Sequence, residues 1–334
     1  MGDRLSGNWG KVRSNTIFTD AEEPARMKNK PLLPIICGPT AVGKTSLALA
    51  LAELFDLEIV SADSRQVYRL MDIGTAKPTS AERQRVRHHL VDIVWPDEDF
   101  NASQFAVLAS TAIGEILECS RLPLLVGGTG LYIRALTEGL LRAPGADPAI
   151  RRRLRQAAAD EGPDVLHQKL AEVDPAAAER LHPNDLVRVI RALEVYEQTG
   201  RPLSAFQQAH GFADQPFRTL KIGLTADREI LYQRIDARSV RMFEQGLLQE
   251  VETILKAGYR ETLKSLQTIG YRQALLVLQG KLSREEALSD LQRATRRYAK
   301  QQLTWLRQDK SINWVDSSAD FDTIRKFFDD FYVN

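Results

Sequence analysis

The stretch Gly38-Pro39-Thr40-Ala41-Val42-Gly43-Lys44-Thr45 has the spacing G-x-x-x-x-G-K-T, which wraps a backbone around phosphate oxygens. Its two glycines let successive N–H groups converge on an anion. A helix opening at the lysine adds the partial positive charge of its N-terminus. Lys44 supplies a point charge, and the Thr45 hydroxyl can ligate Mg²⁺. The bland alternative is a tight glycine turn with no ligand. The setting argues against it, because the motif follows the apolar run LLPIIC (32–37) and precedes a helical pattern.

A phosphate cradle does not by itself name a reaction. In an ATPase a buried strand usually ends in an acid that helps hold the metal. Here LPLLV (122–126) runs instead into Gly127-Gly128-Thr129-Gly130. The remaining acid is Asp63, at the end of EIVSAD (58–63), and open α/β sheets bind ligands at the carboxyl ends of their strands. Asp63 is therefore placed to act as a general base or to support a metal, or else Asp63 or Ser64 closes an Asx turn. The polar stretch from Ser64, Arg65 and Gln66 to Lys77 carries amide, hydroxyl, aromatic and guanidinium groups. These are the groups that read an extruded base, although a plain surface loop has a similar mixture. Gly127, Gly128 and Thr129 permit close backbone approach to a ligand, or simply a tight turn.

The elements that must position these groups follow from periodicity. Apolar runs at 32–37, 58–63, 90–94, 122–126 and 219–224 read as strands, with INWVD (312–316) as a last one. Helical patterns lie between them. The first has Leu47, Leu49, Leu51, Leu54 and Phe55 as core candidates, and the others cover about 102–119, from 227 onward, and from a Ser283/Glu286 capping box to about 309. Strands alternating with helices predict an α/β fold, a P-loop NTPase-like parallel sheet flanked by helices. Residues 145–212 show helical periodicity without a strand and predict a helical insertion. The core then comprises 31–144 and 213–334, and residues 1–30 form a mobile extension in which Met27 is a candidate start.

Basic residues cluster locally. Arg234, Arg238 and Arg241 share a helix face, as do Arg293, Arg297 and Lys300. The latter helix is the best candidate for an electrostatic footprint on a nucleic-acid backbone, with Arg151 to Arg155 and Arg188 with Arg191 as further candidates. A net charge of +1 means that any such binding must be local. The two cysteines, Cys37 and Cys119, have no metal-ligand spacing, and His88-His89 lacks the spacing of a helical metal pair. No apolar run approaches the roughly 20 residues of a membrane span, and the N-terminal residues resemble no targeting signal, so a cytoplasmic location is expected; nothing in the sequence demands more than a monomer.

The segments GPTAVGKT (38–45), SADSRQVYRLMDIGTAKP (61–78), HHLVDI (88–93), VGGTGLY (126–132), RVIRALEVYEQTGRPLS (188–204), GLLQEV (246–251), IGYRQAL (269–275) and RRYAKQQLTW (296–305) together resemble the tRNA dimethylallyltransferases, also called tRNA isopentenyltransferases. They run in family order from residue 32 to about 310. The resemblance implies transfer of a dimethylallyl group from its diphosphate to the exocyclic amine of the adenosine 3′ of the tRNA anticodon. Residues 38–45, Mg²⁺ and Arg238 would then hold the departing diphosphate, Asp63 would accept from the amine, and Thr129 would line the meeting point of the substrates. Ser64 and Gln66, with Arg65 between them, would read the base, and the insertion would grip the anticodon stem through Arg188 and Arg191. Val187 and Gln301 depart from the family's usual Gln and Arg. Competing readings are a small-molecule kinase, an enzyme prenylating free adenine nucleotides, and a non-catalytic tRNA-binding protein.

Overall fold

The computed structural model describes residues 30–141, 143–210, 215–319 and 321–333. The extension preceding Lys30, with Met27, lies outside them. Strands β1 (Leu32–Cys37), β2 (Leu57–Ala62), β3 (His88–His89), β4 (Leu122–Gly127), β5 (Arg218–Thr225) and β6 (Ile312–Asp316) form a parallel sheet in the order β3-β2-β4-β1-β5-β6. The strand before the phosphate loop is central, with Ile35 beside Leu125 on one side and Lys221 on the other. The chain passes from β1 to β2 in one direction and later reaches β5 on the opposite side. The carboxyl end of β1 thus lies at a switch point, where such sheets leave a crevice.

Parallel strands need crossover helices, and these bury both faces of the sheet. Leu33, Ile35 and Phe105 pack on one face beneath α3 (Ala102–Glu118) and α4 (Gly130–Glu138). Ile36, Leu49, Leu51, Ile235 and Phe328 pack on the other, beneath α1 (Lys44–Leu51), α10 (Arg228–Glu244) and α14 (Phe321–Val333). The long α13 (Arg284–Leu306) opens with the expected Ser283/Glu286 capping box and reaches both faces through Leu306 and Ala299. A third cluster joins Val67, Tyr68 and Met71 to α11 (Leu247–Lys256), α12 (Tyr271–Leu278) and Leu291 of α13.

Two sequence expectations fail locally. Helix α1 ends at Leu51, so Leu54 is 50% exposed and not part of the core. Beyond the short helix α2 (Ser80–Arg85), the strand expected at 90–94 is reduced to His88–His89 and an isolated bridge between Tyr68 and Val94. Leu90 and Asp92 have φ of 61° and 59°, which breaks an extended run, and the Asp92 carboxylate is engaged by Lys77 and Arg83. The histidines are structural: His89 Nε2 lies 2.5 Å from Glu58 Oε2, and His88 Nδ1 lies 2.8 Å from the Val86 carbonyl.

Between α4 and β5 the chain forms α5 (Pro148–Glu161), α6 (Pro163–Val173), α7 (Pro175–Arg180), α8 (Leu186–Thr199) and α9 (Leu203–His210). They carry their own apolar centre, including Leu154, Leu166, Leu170, Val189 and Leu193. Buried Glu194 ties this unit to its entry segment, accepting from Asp147 N at 2.7 Å, from Arg151 at 2.8 and 2.9 Å and from Arg191 at 2.6 Å. Burial disfavours the Glu194 charge, but the two guanidiniums outweigh it and hold the carboxyl below its usual range.

Candidate active site

The loop between β1 and α1 has the shape its glycines permit. Gly38 has φ 149°, and a Cβ there would lie 2.6 Å from the Leu224 carbonyl, so close packing on β5 demands glycine. Gly43, at φ 110°, is the N-cap of α1 and offers no side chain to compete for the first-turn N–H groups. Lys44 Nζ donates to the carbonyls of Gly38 (3.0 Å) and Pro39 (2.7 Å). The residue as a whole is only half-buried, but its ammonium is enclosed by the loop, and this burial pushes its pKa down to about 8. Asp63 opposes that shift and Arg238 reinforces it, so the three charges share one electrostatic neighbourhood. The Thr45 residue is exposed at the start of α1.

Helix α10 backs the loop. Arg238 donates to Thr40 Oγ1 at 3.0 Å, and Arg234 donates to the Val42 carbonyl at 3.2 Å and to Ser317 Oγ at 3.0 Å. Arg238 thus stands beside the cradle, while Arg234 props it from behind. The Thr40 N–H is directed elsewhere, donating to Gln302 Oε1 at 2.9 Å. Of the expected ring of amides, that one faces α13.

Asp63 lies one residue beyond β2. Its Oδ1 accepts from Arg65 N at 2.8 Å and from Gln66 N at 3.3 Å, which is the Asx turn foreseen as the alternative. The turn uses one carboxylate oxygen, so it coexists with a chemical role for the other. Thr129 Oγ1 accepts from Ser64 N at 3.1 Å and its N–H donates to the Ala62 carbonyl at 3.2 Å, which brings the glycine-rich turn against the Asp63 turn. Gly127 allows this approach, since a Cβ there would lie 2.1 Å from the Ala62 carbonyl oxygen. The Gln66 amide is anchored between Ser61 Oγ (3.2 Å) and the Ala76 carbonyl (3.2 Å), while Arg65 is exposed.

Several participants are not evident from motifs. The Tyr298 phenol interacts with Thr129 and feels Asp63, and burial pushes its pKa up to about 12, so it is a neutral hydroxyl at this junction. Tyr298 also borders a cleft of about 230 Å³ lined by Arg272, Arg293, Arg297 and Gln301. Glu250 receives the backbone N–H groups of Asp72 (2.9 Å), Ile73 (2.7 Å) and Gly74 (3.2 Å), and the Tyr271 hydroxyl at 2.5 Å. The buried Lys77 ammonium donates to Asp72 Oδ1 at 2.7 Å and also to Asp92 and the Tyr68 carbonyl. These contacts fix the polar loop at its far end. Lys77, Glu250 and Tyr271 lie inside segments that carry the family resemblance, but neither residue type nor spacing marks these contacts.

The basic candidates divide by what already engages them. Arg297 and Lys300 are exposed on α13 with no acid of the described residues paired to them. Arg293 is paired with Asp290 at 2.6 Å, and Arg296 is paired with Asp236. Arg188 is exposed, with Asp185 at 3.1 Å. Arg191 is half-buried and donates to the Pro144 carbonyl at 2.5 Å as well as to Glu194, so its guanidinium holds the entry segment. Val187 is 82% exposed beside Arg188. Cys37 is buried at the end of β1, and that burial pushes its thiol up to about 12, which leaves it unreactive. Among the described residues no helix is long and apolar enough to cross a membrane.

A parallel sheet with a phosphate loop on its central strand, faced by a carboxylate turn and a glycine-threonine turn, defines a P-loop-type α/β enzyme without the ATPase acid on its neighbouring strand. The profile described as IPP transferase matches residues 66–309, and that described as isopentenyl transferase matches residues 32–97. The chain belongs to the IPP transferase family and is a transferase. It is 54% identical to the tRNA dimethylallyltransferase of Geobacter metallireducens over 305 residues, covering 91% of this chain and 99% of that protein. The corresponding enzyme of Geobacter sulfurreducens is 52% identical, with 90% and 98% covered. The crystal structure of the full-length tRNA isopentenylpyrophosphate transferase of Bacillus halodurans superimposes with a TM-score of 0.65 at 42% identity, over 91% of this chain and 95% of that one. A eukaryotic dimethylallyltransferase acting on tRNA gives 0.73 at 29% identity, over 86% and 74%.

Proposed function

We propose that this enzyme transfers a dimethylallyl group from dimethylallyl diphosphate to the exocyclic N6 amine of the adenosine 3′ of a tRNA anticodon. The allylic C–O bond breaks with its electron pair leaving on diphosphate, the amine nitrogen forms the new bond to carbon, and the amine releases a proton. The observation that supports this reading is the geometry that sets Arg238 on Thr40 of the lysine-bearing loop at 3.0 Å and Thr129 on the Asp63 turn at 3.1 Å, with Asp63 near enough to favour the Lys44 charge. Cations that stabilise a departing diphosphate stand close to a carboxylate that can accept from the incoming amine. An exocyclic adenine amine is weakly basic, so orientation by Asp63 and Thr129 contributes more than proton affinity.

Residues Gly38 to Thr45 hold the diphosphate without the Thr40 N–H, which is turned to α13, and with Lys44 turning from its own loop carbonyls to the ligand. Among the described residues no cluster of three His, Cys, Asp or Glu could cage a metal. The Thr45 hydroxyl is an oxygen donor of the kind Mg²⁺ takes and would hold such an ion, which would supply positive charge beside the leaving diphosphate. Ser64 and Arg65 face the extruded base while Gln66, its amide held by Ser61 and the Ala76 carbonyl, would have to turn from these partners to read it; Arg297 and Lys300 contact tRNA phosphates, and Arg188 leads the grip of helices α5–α9 on the anticodon stem. Arg191 supports that grip by fixing the helical unit to its linker. The enzyme works as a monomer in the cytoplasm, where its tRNA substrate resides.

The test pairs radiolabelled dimethylallyl diphosphate and Mg²⁺ with unmodified tRNA, or separately with AMP, ADP and ATP. Label in tRNA alone is the expected result. Label in free nucleotides would make the acceptor a nucleotide, and label in none would return the loop to kinase chemistry.

A further inference from the structure

We propose that Gln302 is a positioning residue that sets the spacing between the diphosphate cradle and the acceptor side of the site, an inference that rests on the prenyl-transfer reading above. Gln302 is 8% exposed and lies in α13, far in sequence from both loops that it joins. Its Oε1 accepts from Thr40 N in the phosphate loop at 2.9 Å, and its Nε2 donates to the Gly128 carbonyl at 3.0 Å. One planar amide therefore bridges the wall that holds the leaving group and the turn that presents Thr129. Only a carboxamide of this length can accept at one end and donate at the other; glutamate can only accept, and methionine does neither usefully.

The neighbours of Gln302 make the bridge stiff. Tyr298, Gln302 and Trp305 fall at i, i+4 and i+7 on one face of α13. Tyr298 meets Thr129, Gln302 meets Gly128, and Trp305 covers Gly130. A Cβ on Gly128 would lie 2.3 Å from Gln302 Nε2, and one on Gly130 would lie 1.9 Å from the Trp305 ring, so the turn is seated against the helix without slack. In a displacement reaction a misplacement of about 1 Å between donor and acceptor costs on the order of 100-fold in rate. The bridge controls that distance while touching neither substrate.

The test compares wild type with Gln302→Met by three readouts. These are calorimetric affinity for dimethylallyl diphosphate, affinity for tRNA, and single-turnover transfer. The expected result is a rate lower by about 10- to 100-fold, with both dissociation constants within about threefold of wild type. The product balance gives a further signature. When the amine is misplaced, water attacks the allylic carbon as the C–O bond breaks, diphosphate leaves with the electron pair, and the water proton goes to solvent. Dimethylallyl alcohol should therefore rise relative to prenylated tRNA. Should Gln302→Met not fold, Gln302→Glu keeps the volume and the acceptor for Thr40 N–H, and it should move rate and product ratio in the same direction. An unchanged rate, or a rate loss matched by an equal loss of diphosphate affinity, overturns the inference. Failure of the wild-type enzyme to label tRNA would instead overturn the reading beneath it, and this inference with it.

Discussion

The affinity for dimethylallyl diphosphate should fall as pH rises through the titration of Lys44. Burial lowers its ammonium pKa from the ordinary 10.5 to about 8, Asp63 pulling it back and Arg238 pushing it further. The anion needs the charged form, and binding restores the pKa by supplying opposite charge. Full restoration would carry the ammonium back from about 8 toward its ordinary 10.5. Below pH 8 the free enzyme is already protonated and the affinity is flat. Above it, Kd increases tenfold per unit, so that between pH 7 and pH 9 it rises about tenfold. Isothermal titration with the allylic ester at fixed Mg²⁺, without tRNA, measures this; inorganic diphosphate is unsuitable because it titrates in the same window. Lys44→Arg, which stays charged, should bind with a flat profile. Asp63→Asn should move the falling edge to lower pH, since the carboxylate supports the ammonium. A wild-type Kd that changes less than about twofold from pH 7 to 9 would refute the argument. Folding has the linked sign: because the fold lowers this pKa, Lys44 opposes folding fully below pH 8. That opposition fades as pH rises toward 10.5.

Asp63→Ala should slow transfer by about two orders of magnitude while leaving tRNA affinity nearly intact, and equal single-turnover rates would remove Asp63 from the mechanism. Glu250→Ala leaves the N–H groups of Asp72, Ile73 and Gly74 without their acceptor, a cost of about 1–3 kcal/mol in urea unfolding. Hydrogen exchange should show those amides losing protection, and unchanged protection would mean that the loop is held by Lys77 alone. Arg297→Glu with Lys300→Glu should weaken tRNA binding and flatten its salt dependence by about one to two in log–log slope. An unaltered slope would reassign that face to solvent.

Much of the architecture is legible because it depends on short-range pattern. The strands at 32–37 and 122–126, the helix opened by Ser283, and the run of helices from Pro148 to His210 all follow from periodicity and capping. The phosphate loop is legible for the same reason, since its geometry is written in glycines at fixed offsets. The misjudged segments are those where tertiary contacts outweigh local preference. LVDIV has the composition of a strand, but Asp92 is drawn to Lys77 and Arg83, and left-handed Leu90 and Asp92 interrupt it.

The chemistry likewise divides by distance along the chain. The residue types and spacing of the sequence alone determined the glycine-lysine loop, the strand-end carboxylate, the glycine-threonine turn and the basic character of α13. Each is a local feature that needs no partner to be recognised. Only the folded structure decided which cations are free and which are already paired, so that Arg297 and Lys300 remain available while Arg191 holds the linker. It also selected Glu250, Tyr298 and Gln302, residues with ordinary side chains whose importance lies in reaching across to another element. A glutamine becomes a bridge only when two loops, remote in sequence, present an N–H and a carbonyl at either end of its amide, and that coincidence is created by packing.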